Sequence, residues 1–371
     1  EEAFAVRVGA RHAISCANGT AALHLTALAL GLGPGDASIV PAITFLATAN
    51  AARYVGAEVV FADVDPSTAL MTEATFADAL VRAGATARAA YPVHMNGQTA
   101  DMAAIARRAR ARGLAVVEDA CHALGGAYRD GHDAITQVGA CRHSDMAIFS
   151  FHPVKIIACG EGGMVTTNDD TLAVALRRYR NHGMVREPSG LEDKHQGFGP
   201  DGRPNPWYYE MPEPGFNYRL SDIHAALGLS QLKKLDRFVT RRLELVAAYD
   251  RALSPYAPVL RPLGRTGHDQ PGWHLYVVLI DFERAGTDRG ACMRALSASG
   301  IGTQVHYLPL HHQPYYRRRY GAVSLSGAER YYAQALSLPL SAQMTDNDVK
   351  RVTVALTAAL GLDNRNDKER R

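Results

Sequence analysis

"FSFHPVKIIACGEGGMVTTND", residues 149–169, holds one lysine between an apolar run and a glycine-rich turn. The run before it, "MAIFSF" (146–151), reads as a buried strand, and "GMVTT" (163–167) as another. Lys155 sits in the connection, where the pattern calls for burial. A lysine in an apolar site holds its proton less tightly, and its neutral amine can then attack a carbonyl. Gly160, Gly162 and Gly163 leave room for close backbone approach. Taken alone, Lys155 also reads as a surface lysine whose stem covers apolar atoms.

Outward from this stretch, "EVVFADV" (58–64), "RAAYPVH" (88–94) and "LAVVED" (114–119) read as further buried strands. Helical patterns lie among them, such as "TAALHLTALALGLG" (20–33) and "DMAAIARRARARG" (101–113). Such alternation predicts an α/β fold with a mainly parallel sheet covered on both faces. Residues 183–215 interrupt it with a Gly- and Pro-rich segment bearing Trp207, Tyr208 and Tyr209, read as a functional loop. Helices are expected over 220–236 and 238–254, then a change of style. "WHLYVVLID" (273–281), "DRGACMRALSASG" (288–300), "IGTQVHY" (301–307) and helices near 327–336 and 346–361 suggest a smaller α+β domain. The expected domains are 1–240 and 241–371. The charged tail "DNRNDKERR" (363–371) is expected to fray.

The bulk numbers exclude several classes. Net charge is 40 − 37 = +3 over 371 residues, too weak to argue for nucleic acid. The nearest basic cluster, Arg317, Arg318 and Arg319 beside Tyr315, Tyr316 and Tyr320, reads equally well as a solvated helix face. Five cysteines without a C-x-x-C pair argue against a disulfide framework or a structural zinc site, and no metal is expected. No apolar run approaches a membrane span, and the opening residues lack a signal pattern. A reducing, cytoplasmic setting is expected.

Four features at strand ends carry chemistry. "CANGTAAL" (16–23) opens a helix whose free amides at Gly19 and Thr20 suit a phosphate; it also reads as an ordinary helix start capped by Asn18 or Thr20. "VVEDACHALG" (116–125) ends a strand in Asp119, a carboxylate that needs a partner, either a protonated ring nitrogen or the next helix start. His122 follows and could stack on a flat ring or serve the core. Phe45, in "PAITFLATANA" (41–51), could do either as well. Ser150 and Lys155 complete the set. A phosphate cradle, a carboxylate for a ring nitrogen, an aromatic plane and a reactive amine together describe pyridoxal 5′-phosphate.

The order "NGTAAL", "EDACHALG", "FSFHPVK" and "FNYRLSDIHAALGLSQLKKLD" resembles the pyridoxal phosphate-dependent sugar-nucleotide aminotransferases of the DegT/StrS group over nearly the whole chain. The resemblance implies a fold-type I transferase. Its large domain has a mainly parallel seven-stranded sheet, its C-terminal domain is smaller and α+β, and it forms a homodimer with shared active sites. It implies Lys155 as the Schiff-base lysine and Asp119 as the ring-nitrogen partner. His122 becomes a cofactor contact and Phe45 the stacking ring. Gly19, Thr20, Ala21 and Ser150 become phosphate contacts, and Asn217 reaches the phosphate from the partner subunit. Members carry a further segment ahead of the point where this sequence starts, so helical structure at the N-terminus is expected to be less well anchored.

A narrower likeness lies in "PWYYEMPEPGFNYRLSDIHAALGLSQLKKLD" (206–236) and "GTQVHYLPLHHQPYYRRRYG" (302–321). Both are similar to the branch that makes the pseudaminic acid precursor. That likeness implies a UDP-linked 2-acetamido-2,6-dideoxy-hexos-4-ulose as substrate, aminated at C4 by L-glutamate. It nominates Gln304, Val305, His306 and Tyr307 as substrate contacts. By pattern alone these are alternating residues of a small-domain strand. Other 4-keto or 3-keto sugar nucleotides, and a non-catalytic pyridoxal phosphate-binding regulator, remain as alternatives. Dehydratase relatives place a histidine at the lysine position, and Lys155 argues against that reading.

Overall fold

Seven strands form the main sheet: β1 (His12–Cys16), β2 (Ala37–Pro41), β3 (Glu58–Ala62), β4 (Ala87–Ala90), β5 (Ala115–Asp119), β6 (Met146–Ser150) and β7 (Gly163–Thr167). The structure is a computed structural model and describes residues 1–129 and 134–362. The tail 363–371 lies outside the described residues. Strand order is β1-β7-β6-β5-β4-β2-β3. Pairs β2–β3, β2–β4, β4–β5 and β5–β6 are parallel, and β7 runs antiparallel to both neighbours. The sequence pattern does not mark β1 and β2. "HAISC" and "ASIVP" are short, mix small and polar residues, and lack the long apolar signature.

The pleat divides the interior into two packed layers. Met146 and Ile148 of β6 enter one core cluster, while Ala147 and Phe149 enter the other. This period-two alternation lets one strand bind helices on both sides. β2 and β7 are buried at all five positions, as a sheet covered on both faces requires.

A smaller antiparallel sheet joins Leu260–Pro262, Tyr276–Ile280 and Ala335–Leu338, with a third core cluster around it. Helix Leu235–Leu253 links the parts: Leu235 packs into the main core, and Leu245, Val246 and Tyr249 into the third cluster. The boundary expected near residue 240 therefore falls inside a continuous helix.

Two local expectations are corrected. The segment 301–307 is not a strand. It makes one bridge, Gln304 to Ser337, through amide–carbonyl distances of 3.2 and 2.7 Å. Beside that bridge, the Val305 amide donates to the Gln304 side chain at 2.9 Å. Loop 183–215 has order of its own. It is a closed excursion with bridges Val185–Glu210 and Phe198–Pro204 and a short helix Lys194–Gly197. Its ends touch at Gly183, where φ is +73° and a Cβ would meet Glu213 O at 1.8 Å.

The N-terminus is anchored, contrary to expectation. Helix Glu2–Val8 buries Phe4 and Val8. The Phe4 ring meets Phe149 and Phe151 edge-on at 5.0 and 5.6 Å. The Glu1 carboxylate accepts from Ser15 N at 3.0 Å and Arg180 at 2.6 Å. Phe4 thus braces the two residues that flank Ser150. Phe4→Ala is expected to cost about 3–5 kcal/mol, read as a lower urea midpoint with an unchanged slope.

Candidate functional site

A cavity of about 730 Å³ opens where β5 and β6 end, the edge at which α/β sheets bind ligands. β5 delivers Asp119 there and β6 delivers Ser150. The following turn, held by Lys155 N donating to His152 O at 2.9 Å, carries Lys155 into the wall. The helix Gly19–Ala29 starts at the same place, so its positive N-terminal end faces the cavity.

The helix start is shaped for an anion. Asn18 caps it, its side chain accepting from Ala21 N at 2.8 Å. That interaction occupies the Ala21 amide and leaves Ala21 buried behind the lining, while Gly19 and Thr20 line the cavity. A Cβ at Gly19 would lie 2.8 Å from the Ser150 Cβ, so only glycine lets the helix start and the strand end close on one small group.

Asp119 is 5% exposed and fully engaged. Its Oδ2 accepts from the Thr48 hydroxyl at 2.7 Å, and Oδ1 accepts from Cys121 N at 3.2 Å. The Thr48 hydroxyl lies 2.8 Å from that of Thr44. These donors fix the carboxylate's direction.

The opposite wall is aromatic. His122 Nε2 lies 3.2 Å from the Tyr307 hydroxyl, and its ring sits 4.6 Å from that of His274. His122 Nδ1 has no hydrogen-bond partner among the described residues. Burial first, then the Lys155, His274 and His306 charges, hold His122 well below the usual imidazole value. His306 is pushed down to about 4 by burial and by Lys155, and its Nδ1 lies 2.8 Å from the Ser337 hydroxyl. Burial lowers the Lys155 pKa too, with Cys121 and Asp119 opposing. All three bases are thus biased toward their neutral forms.

The cavity brings together Gly19, Thr20, Phe45, Asp119, His122, Ser150, Lys155, Gln304, Val305, His306 and Tyr307. Phe45 is 54% exposed at the rim, which removes its core reading, and its ring lies 6.0 Å from that of Tyr307. Asn217 is not in this wall; its backbone bridges Asn181. Sequence reasoning missed Thr44, Thr48, Cys121 and His274. The four-residue spacing of Thr44 and Thr48 around a helix start was a usable signal. His274 carries none, because it is placed by its amide donating to Asn96 O at 3.0 Å.

A family model described as the DegT/DnrJ/EryC1/StrS aminotransferase family matches residues 1–357. The chain belongs to that family. Among solved structures it is similar to S. venezuelae DesV in complex with a ketimine intermediate (32% identity, TM-score 0.82, covering 97% of this chain and 88% of that one). It is also similar to the aminotransferase TlmJ from Streptoalloteichus hindustanus (31%, 0.83, 96% and 88%). A third is Helicobacter pylori PseC, an aminotransferase involved in the biosynthesis of pseudoaminic acid (27%, 0.84, 97% and 90%).

Pyridoxal phosphate is the family's cofactor, and the cavity fits it. The Gly19–Ser150 approach makes a cradle that a Cβ would fill. Asp119 presents a fixed carboxylate, and the unpartnered His122 Nδ1 marks a buried polar wall.

Two outcomes follow from this geometry. Thr48→Val removes a donor to Asp119 Oδ2 and is expected to weaken cofactor binding about tenfold, equivalent to about 1–2 kcal/mol, in a fluorescence titration. Folded His306 resists protonation between its ordinary 6.5 and about 4, whereas the unfolded chain accepts the proton. Its stabilising contribution is therefore complete above 6.5 and lost as pH falls toward 4. Urea midpoints of the cofactor-free protein across that window should fall with pH, and His306→Gln should flatten the slope.

Proposed function

We propose that this chain aminates C4 of a UDP-linked 4-keto-6-deoxy-N-acetylhexosamine, taking the amino group from L-glutamate and giving the 4-amino precursor of pseudaminic acid. The observation that carries this reading is the full-length likeness to PseC, together with Gln304–Tyr307 in the cavity wall. The same reading has the chain act as a cytoplasmic homodimer, with Asn217 reaching the partner's phosphate site. The helix Asp222–Leu232, close to Asn217 in sequence, buries none of its residues and exposes Ile223, Leu227 and Leu229, which suits a face covered by a second copy.

Pyridoxal phosphate supplies an aldehyde that captures amines and a ring that accepts the electrons of a broken C–H bond. Lys155 is the one lysine of the lining, and its burial frees the amine to take the proton from Cα of the donor. The same Nζ later returns a proton to C4 of the sugar. Asp119, aligned by Thr48 and Cys121, holds a proton at the ring nitrogen. Gly19, Thr20 and Ser150 bind the phosphate, with Ala21 supporting that turn from behind. Phe45 and His122 flank the ring.

A second reading, amination of another keto sugar nucleotide, is favoured by the higher identities to DesV and TlmJ. A panel of keto sugar nucleotides incubated with glutamate separates them by sugar mass and 2-oxoglutarate yield. The UDP-4-keto-6-deoxy-HexNAc is expected to react fastest by at least tenfold in kcat/KM. A faster alternative sugar selects the second reading, and bound cofactor with no 2-oxoglutarate from any sugar points to a regulator. Borohydride treatment of the wild type should fix the cofactor to the peptide containing Lys155, and Lys155→Ala should show neither the adduct nor turnover.

A further inference from the structure

Beside the cavity stands a polar cluster that the proposed reaction leaves unused. His311 and His312 lie in the single turn Leu310–His312, pinned by Leu310 N donating to Ala42 O at 2.9 Å. Glu329 lies on the helix Ser326–Gln334. That helix is held at its start by the Asp63 carboxylate, which accepts from the Gly327 and Ala328 amides at 2.9 and 2.7 Å. The turn and the helix are thus fixed independently, and their side chains converge.

His311 is 3% exposed, yet neither of its ring nitrogens makes a hydrogen bond among the described residues. A buried imidazole left without a partner is unfavourable. Glu329 Oε1 lies 3.7 Å from Nε2, too far for a hydrogen bond. His312 Nε2 stands 4.0 Å from the same oxygen. One ligand atom from each residue can be chosen so that all three lie within 4.8 Å of one another. Zinc with nitrogen and oxygen ligands at about 2.0–2.2 Å sets neighbouring ligands about 3.3–3.5 Å apart, so small side-chain rotations close the set.

We propose that His311, His312 and Glu329 form a site for a divalent transition metal, zinc by ligand type, with solvent at the fourth position. His312 and Glu329 are about two-fifths exposed, which gives that position access to water. A direct His311–Glu329 ion pair would satisfy one nitrogen but would give His312 no part. None of the three residues lines the cavity, whereas Leu310 and Gln313 on either side of the histidines do. The metal therefore fixes that wall by tying the turn to the helix and takes no part in the amino transfer.

The test uses the full chain loaded with pyridoxal phosphate, stripped with a chelator, given equimolar zinc or cobalt and then gel-filtered. The wild type should retain one zinc per chain by mass spectrometry, and its cobalt form should show the intense visible bands of a four-coordinate site. His312→Ala and Glu329→Gln alter partly exposed side chains and should keep the cofactor's spectrum. Each should raise the zinc Kd at least tenfold and abolish the cobalt bands. The proposal is overturned if the wild type elutes without zinc, or if both variants retain as much as the wild type.

Discussion

A carboxylate buried at the end of a central strand sets the terms for this protein. Asp119 is nearly excluded from water, so its charge must be met by donors built into the fold. Thr48 and the Cys121 amide supply two of them, from different elements. Their geometry requires the helix Leu46–Tyr54 to start beside the end of β5. Thr44 braces the Thr48 hydroxyl from the preceding loop. The carboxylate thus faces the cavity in one fixed direction.

Around the carboxylate, the protein keeps its bases neutral by burying them. Lys155, His122, His274 and His306 crowd one space, and their mutual repulsion adds to desolvation in pulling protons away from the histidines. A neutral amine is the form that attacks a carbonyl and accepts a proton. The arrangement costs stability in acid, where the unfolded chain gains protons that the folded chain refuses. The stiff scaffold that supports this crowding comes partly from the N-terminal helix, whose Phe4 packs on either side of Ser150 through Phe149 and Phe151.

Much of the fold was legible because strands buried on both faces write themselves as apolar runs. β3, β4, β5, β6 and β7 were readable in this way. β1 and β2 were not, because their small and polar residues are buried by neighbours rather than by their own hydrophobicity. Residues 301–307 misled for the opposite reason. Their alternation is that of a strand, but in the fold they pair at one residue only, Gln304 with Ser337. Among site residues, most of those in short local motifs were found, while the Thr44–Thr48 spacing was passed over. His274 could not be found, because it packs on His122 from a distant part of the chain, a relation that spacing along the chain does not encode.

The sequence by itself determined the chemistry available: a lysine in an apolar turn, an acid at a strand end, a glycine at a helix start, and the family these imply. Local physics suffices for that, since turn, cap and strand preferences act over a few residues. Only the tertiary structure decided that these groups share one cavity, that Phe45 stands at its rim rather than in the core, and that Ala21 gives its amide to Asn18. Those outcomes depend on which surfaces of distant elements pack together, and the free energy that chooses among them belongs to the whole core.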